Sequence, residues 1–378
     1  MSLATPSVFL NRLSTLHSHL RAAELTALLV TQPANISYLS GLRASAGMLL
    51  VSLDGESLIV DSRYGAVARN LYEEGALPKT MRVVIVGSSY EETVCDSLRS
   101  LGPTRLGIES DHITLGRYRW LERSLSGSEV TLGPTSGLVE RIRLTKDEHE
   151  IAVLRQAGSR VSQVMSEMLS ELRVGKSERE VAADIEWAVR HAGCEGLAFD
   201  TIVASGPNTA MPHARPSARR LRAGDLVLLD FGGVYEGYCV DMTRMASLGQ
   251  PGVTADEWHR AVRQSHAAAL MAIKPGARGS EVDASARAVL DRLGLGRAFV
   301  HGTGHGLGIE VHEAPRIGKR RAGTDPEDVQ LEPGMVLTIE PGVYFPGTGG
   351  VRLEDDVVVT DTGYELLTNA PLELAVVK

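Results

Sequence analysis

Three histidines, His301, His305 and His312, fall inside the thirteen-residue stretch HGTGHGLGIEVHE (301–313), in a chain with 11 histidines among 378 residues. The zinc-protease helix pattern needs a Glu directly after one His and a second His four residues on. His301 and His305 have the spacing but not the Glu, and the glycines between them disfavour a helix. His312-Glu313 has the Glu, but Arg316 stands where the second His belongs. Any metal bound here must draw its other ligands from elsewhere.

Carboxylates in two β-runs can supply them. The run LVLLDFGGVYEGYCVDMTRM (226–245) reads as a strand, a glycine-bearing turn and a second strand. Asp230 ends an apolar run that would not tolerate a lone buried charge. A turn centred on Tyr235–Glu236 sets Asp230 directly opposite Asp241. Cβ atoms there lie about 5 Å apart, and like charges repel unless a cation sits between them. The run GMVLTIEPGVYFPGTGGVRLEDDVVVT (334–360) repeats the arrangement, with Glu340 and Glu354 symmetric about Gly347. Four carboxylates and one imidazole balance two divalent ions that share carboxylates. Mostly oxygen ligation favours Mn(II), with Co(II) and Zn(II) as alternatives. Such a pair would lower the pKa of a shared water and clamp a hydrolytic transition state.

The elements that must position these residues can be read in outline. Residues 1–135 alternate short strands and helices, with strands in TALLVTQPA, GMLLVSL, SLIVDSRY, MRVVIVG and RLGIES, an α/β pattern. No GxGxxG or Walker loop accompanies it. A boundary fits at 136–146, giving domains 1–138 and 139–378. The next helix is expected to start with a capping box of Thr145 and Glu148, and a second with Ser177 and Glu180. Further helices are expected at 254–273 and 279–293, and strands at 199–205, 225–231, 237–244, 335–341 and 350–359. The net charge of -8 argues against a broad nucleic-acid face. The basic runs at 218–222 and 318–321 read as solvated loop charge. Cys95, Cys194 and Cys239 form no disulfide framework or metal knuckle. The N-terminal stretch is amphipathic and lacks a signal-peptide core, and no apolar run of about 18 residues occurs. A reducing, cytoplasmic setting is expected, which makes the glycosylation triplet at Asn35 a chance match.

The runs GDLVLLDFGGVYEGYCVDMTR, HGTGHGLGIEVHE and GMVLTIEPGVY…GGVRLEDDVVVT resemble the three signature blocks of the pita-bread metallopeptidases. That family includes methionine aminopeptidase, aminopeptidase P and prolidase. FDTIVASGPNTAMPH (199–213) is similar to the strand that leads to the family's first active-site histidine. The resemblance covers 140–378 and implies an α+β fold: a C-terminal pita-bread (creatinase/aminopeptidase) domain behind an N-terminal α/β creatinase/prolidase-like domain. The latter is usual in the proline-directed members. The resemblance implies Asp230, Asp241, His305, Glu340 and Glu354 as metal ligands. Asp241 and Glu354 would bridge two ions; Asp230 would hold one, and His305 with Glu340 the other. Glu340 would also shuttle a proton. His213 and His312 would bind the peptide and stabilise the oxyanion. His301 would line a proline pocket, Tyr344 and Arg352 would orient ligands, and Arg316 resembles an arginine that some short prolidases use near the substrate carboxylate.

Taken singly, each residue has a plainer use: Asp230 or Asp241 as a turn or paired core acid, His213 as a loop histidine, Arg316 as a solvated charge, Tyr344 as sheet packing. Cys239 shares strand parity with Asp241 and reads as a small core residue. The full set in order carries the reading of an Xaa-Pro metallopeptidase acting on proline-containing peptides, expected as a homodimer without nucleic-acid or membrane partners. Chain length and Arg316 favour prolidase, which takes dipeptides; aminopeptidase P, which takes longer peptides, is the alternative. A metal-free creatinase-like hydrolase or a non-enzymatic peptide-binding module would be expected to have lost ligands.

Overall fold

Alternating apolar runs in the first third of the chain fold as a six-stranded sheet flanked by helices in the computed structural model, which describes residues 6–320 and 328–377. The first residues of the amphipathic N-terminal stretch and the last arginine of the 318–321 run lie outside the described residues. The chain divides into two units, Met1–Arg143 and Leu144–Lys378. In the first, α1 (Pro6–Ala22) precedes β1 (Ala27–Val30), α2 (Pro33–Ser40), β2 (Met48–Ser52), β3 (Gly55–Val60) and α3 (Ser62–Glu73). There follow β4 (Met81–Ile85), α4 (Tyr90–Leu101), β5 (Thr104–Glu109), α5 (Leu115–Ser124), β6 (Val130–Thr135) and α6 (Glu140–Arg143). The sheet order is β4-β3-β2-β1-β5-β6. Asn35 is buried in α2 and donates to Glu109 Oε1 at 2.7 Å, so the formal glycosylation triplet is a core feature.

The second unit begins with α7 (Glu148–Glu171) and α8 (Glu178–His191). The α8 capping box is Ser177 with Glu180, as expected; that of α7 is Asp147 with Glu150, not Thr145 with Glu148. Both pairs have suitable chemistry. Thr145 is unavailable because it forms a β-bridge with Met335, and the Lys146 N–H donates to Gly334 O. Next come β7 (Gly196–Leu197), β8 (Ile202–Ser205), a 3₁₀ turn (Gly206–Ala210), β9 (Leu226–Tyr235) and β10 (Tyr238–Leu248). Then follow α9 (Val253–Ala272), α10 (Gly279–Arg292), β11 (Gly304–Gly306), β12 (Glu313–Ile317), β13 (Val336–Ile339), β14 (Gly342–Phe345), β15 (Gly349–Arg352), β16 (Asp355–Val359), β17 (Tyr364–Leu366) and β18 (Ala375–Val377). One sheet runs β18-β10-β9-β7, with β8 also on β9; another runs β12-β11-β13-β16-β17, and β14 pairs with β15. Arg219, in the 218–222 basic run, is not a solvated charge: it forks onto Asp225 at 2.6 and 2.8 Å.

Two apolar cores clamp the unit. Leu154, Val161, Met165 and Ile185 of α7 and α8 pack with Val227, Leu229 and Phe231 of β9. Val262, Ala269, Val282 and Leu290 of α9 and α10 pack with Leu228, Leu337, Ile339 and Val357. Side chains alternate along a strand. Asp230 therefore follows Leu228 and faces the second sheet.

The first hairpin turns at Glu236–Gly237, both with positive φ (46° and 83°), as a two-residue hairpin turn of type I′ requires. This is one residue later than the sequence implies. Asp230 consequently pairs with Thr243, and Asp241 with Gly232. The expected direct opposition of Asp230 and Asp241 is replaced by a diagonal on the same face. The second hairpin keeps the expected register. Gly342 pairs with Arg352 and Ile339 with Asp355, which places Glu340 across from Glu354 about Gly347. The ladder is interrupted at those two residues. Glu340 N–H donates instead to Thr303 O (2.7 Å), and Glu354 N–H to Thr243 O (3.2 Å).

Candidate metal centre

The loose backbone of the histidine stretch has a steric cause. A Cβ on Gly304 would lie 1.9 Å from Thr338 O, and one on Gly306 would lie 2.1 Å from Ala314 O. Only glycines let β11 lie this close to both neighbours, and His305 is delivered between them. The Arg287 guanidinium of α10 donates to Phe299 O (3.0 Å) and His301 O, and Thr303 Oγ1 donates to buried Asp283 (2.8 Å). These contacts fix the approach to the stretch from below.

A cleft of about 840 Å³ brings together Asp230, Asp241, His305, Glu340, Glu354, His213, His301, His312, Arg316 and Arg352. Tyr344 stands behind it, with its hydroxyl 2.8 Å from His301 Nε2 and accepting from Arg352 Nη1 at 2.9 Å. Asp241, His305 and Glu354 each offer a ligand atom within 4.8 Å of the others. His305 Nε2 lies 3.8 Å from Glu340 Oε1. Asp230 stands somewhat apart: its Oδ2 accepts from Arg352 Nη2. Arg352 also donates to Thr243 Oγ1 (3.2 Å) and Pro212 O (3.2 Å), and Thr243 Oγ1 donates to Glu354 Oε2 (2.7 Å). The His305 and His312 rings are 4.3 Å apart. Arg316 pairs with His305 across the β11–β12 ladder.

The electrostatics show a crowd of anions. Burial, then Glu354 and Asp230, push Asp241 well above the usual carboxylate range. Burial, then Glu340 and Asp230, do the same to Glu354. Burial pushes Glu340 up to about 7, against the pull of Arg352. Burial also drives His305 and His301 down to about 4, favouring neutral imidazoles. Asp230 Oδ1 and Asp241 Oδ1 are buried and accept no hydrogen bond. Buried carboxylate oxygens without donors are costly, and a cation or a proton must meet them. The donor set therefore fits divalent metal: mostly oxygen, one neutral imidazole, and orphaned lone pairs.

Several supporting residues escape a sequence reading. Asp356 Oδ2 accepts from Asp241 N (2.9 Å), and Arg244, fully buried, donates to the Glu354 and Thr243 carbonyls and to Asp355. Three consecutive acids, Glu354 to Asp356, in an apolar β-run are the available signal. Glu313 turns away from the centre and pairs with buried Lys146 at 3.1 Å, which anchors the residue after His312. Cys239 is buried, with its Sγ 3.5 Å from Ile309 O.

Residues 152–361 match the profile of metallopeptidase family M24, and residues 12–145 match the creatinase/prolidase N-terminal domain. The chain is 38% identical over 352 residues to the uncharacterized peptidase YqhT of Bacillus subtilis, covering 93% of this chain and 96% of that protein. Among solved structures it resembles an Xaa-Pro dipeptidase from Bacillus anthracis (TM-score 0.91, 35% identity, 97% of this chain and 99% of that one). It also resembles an X-Pro aminopeptidase from Thermotoga maritima (TM-score 0.85, 33% identity, 95% and 100%). A third likeness is to the prolidase of Pyrococcus horikoshii (TM-score 0.86, 30% identity, 96% and 99%).

Proposed function

The chain belongs to metallopeptidase family M24, a pita-bread metallopeptidase domain behind a creatinase/prolidase N-terminal domain, and on that premise we propose that it is an Xaa-Pro dipeptidase. Asp230, Asp241, His305, Glu340 and Glu354 would hold two divalent ions, Mn(II) before Co(II) or Zn(II). When bound, the ions supply Lewis acidity toward the scissile carbonyl and a lowered pKa for water. Glu340, open to the cleft, carries the proton from the attacking water to the leaving proline nitrogen. His213 and His312 donate to the carbonyl oxygen as it gains charge. His301, braced by Tyr344, faces the proline ring, and Arg352 orients Asp230. In this reading the enzyme works as a cytoplasmic homodimer; its three cysteines are free and buried.

The observation that carries the dipeptidase reading is Arg316, opposite His305 in the β11–β12 register. Directly opposed residues point to one face, so the guanidinium shares the cleft with the centre. A dipeptide ends in a carboxylate immediately after proline, and a planar arginine fork suits it. The cleft volume of about 840 Å³ favours the second reading, aminopeptidase P, because it exceeds what a dipeptide fills. Ala-Pro, Ala-Pro-Ala, Met-Ala-Ala and creatine, assayed with Mn(II), separate the classes. Arg316→Ala should cut kcat/KM for Ala-Pro at least tenfold, about 1.4 kcal/mol, and Ala-Pro-Ala much less. If wild type cleaves the tripeptide faster and the variant leaves that ratio unchanged, the enzyme is an aminopeptidase P.

A further inference from the structure

His213 is exposed in the cleft and its side chain makes no hydrogen bond to protein among the described residues. Its position is therefore set only by the backbone that carries it, residues 206–217. One buried carboxylate closes that segment at both ends. Glu178, the first residue of α8, has a relative exposure of 0%. Its Oε1 accepts from Ser205 N (2.8 Å), Ser205 Oγ (2.7 Å) and Asn208 Nδ2 (3.0 Å). Its Oε2 accepts from Ser217 N (3.0 Å), Ser217 Oγ (2.6 Å) and, again, Asn208 Nδ2 (3.2 Å). Ser205 immediately precedes the segment, Asn208 lies in its 3₁₀ turn, and Ser217 ends it.

The serine hydroxyls have no freedom to turn away. Ser205 Oγ accepts from Arg219 Nη1 (2.6 Å) and Ser217 Oγ accepts from Arg219 N (3.0 Å), so both protons point at Glu178. Burial alone would raise the Glu178 pKa; the bonds from Ser217, Ser205 and Asn208 outweigh it and hold the group below the usual range. The middle of the segment is caught separately, where Arg352 Nη1 donates to Pro212 O, one residue before His213. A charged, fully buried side chain at a helix start needs a reason. Five donors from three residues of one loop supply it.

We propose that Glu178 is a positioning residue for His213: it staples the two ends of the 206–217 loop so that an imidazole with no anchor of its own meets the reacting carbonyl. The inference rests on the proposed oxyanion role of His213. Displacements of about 1 Å can cost about 100-fold in rate, so the loss of one staple should be visible in turnover. Glu178→Gln keeps the shape but turns an amide N–H₂ toward donors, so one end of the loop is loosened, with the main-chain bond from Arg179 N to Ser217 O (3.2 Å) left in place.

The test is a double-mutant cycle on kcat with Glu178→Gln and His213→Ala, using whichever of Ala-Pro and Ala-Pro-Ala wild type cleaves faster. With His213 present, Glu178→Gln should lower kcat about tenfold or more. In the His213→Ala background it should cost less than twofold. Elemental analysis should find the same metal content in all four proteins, and amide exchange across 206–217 should quicken in Glu178→Gln. Equal losses in both backgrounds, or wild-type kcat in Glu178→Gln, would overturn the inference while leaving the role of His213 standing. A fully active His213→Ala enzyme would overturn that role and this inference together. Should Glu178→Gln not fold, Ser217→Ala removes one donor, leaves the carboxylate in place, and is run through the same cycle with the same criteria.

Discussion

Replacing Arg352 with Met is the sharpest test of how the anionic cluster is tolerated without metal. The side chain is 4% exposed and its partner Asp230 8% exposed. Four acceptors lose a donor: Asp230 Oδ2, Tyr344 Oη, Pro212 O and Thr243 Oγ1. Removing one partner of a buried ion pair costs about 3–5 kcal/mol, because the other charge is stranded. Here the neighbouring carboxyls of Asp241, Glu340 and Glu354 are already pushed up and take protons when no metal is bound, which relieves the stranded charge, so the lower part of that range applies. Met fills a similar volume, which keeps the cavity contribution small. In urea with EDTA at pH 7.5, a slope of about 3 kcal/mol per molar converts the loss into a midpoint lower by about 1 M or more. Amide exchange of β10 reports the unit concerned. On the proposed reading Mn(II) is a ligand of the folded state alone, so at 100 times Kd it should return about 2.7 kcal/mol per site. Wild type should gain less from Mn(II) than Arg352→Met, whose cluster lacks the buried guanidinium that faces Asp230. A midpoint within 0.3 M of wild type in EDTA would refute the idea that this guanidinium holds the cluster together.

Elemental analysis after dialysis against Mn(II) should approach two ions per chain. Glu354→Gln should hold one or fewer yet be more stable than wild type in EDTA, because it removes an anion from a crowd; full activity with a single ion sinks the two-ion reading. His305→Ala should lose metal, whereas His213→Ala and His312→Ala should keep it and lose about 100-fold in turnover. With the 305 and 312 rings 4.3 Å apart, the reverse result would show the two roles exchanged. Burial drives His259 and His266 down to about 4. Both are neutral in the fold, so the stability they contribute is present above pH 6.5 and is lost as pH falls toward 4. That loss is up to about 3 kcal/mol each. The stability difference between wild type and His266→Gln should shrink over that window, and parallel profiles would refute it.

The gathering of Asp230, Asp241, Glu340 and Glu354 is legible in sequence because an acid in an apolar β-run has few other uses, whereas His305 is singled out among the three histidines only by the family resemblance. The second hairpin is legible for the same reason and because Gly347 marks its tip. The first is misread by one turn residue: Glu236 adopts φ 46°, a conformation sequence assigns more readily to its glycine neighbour. Strand parity survives the shift, so both aspartates stay on the correct face even though their partners change. The start of α7 is misread because Thr145 and Asp147 are equally good caps, and tertiary pairing with Met335 decides between them. Glu178 is illegible because its worth depends on Ser205, Asn208 and Ser217, which are ordinary loop residues until the chain closes.

The broken ladder at Glu340 and Glu354 bears on how such a site endures divergence and recombination. Each carboxylate is seated by its own main-chain N–H on a carbonyl of another strand, Thr303 or Thr243. Main-chain joints do not depend on which side chains surround them. Chimaeras crossing over between residues 241 and 301 would inherit the aspartates from one parent and the other candidate ligands from the second, with the seating intact. What must be inherited as a block is smaller: the glycines that let β11 lie close to its neighbours. Drift can rewrite the cores around this centre, but it has almost no freedom at Gly304 and Gly306.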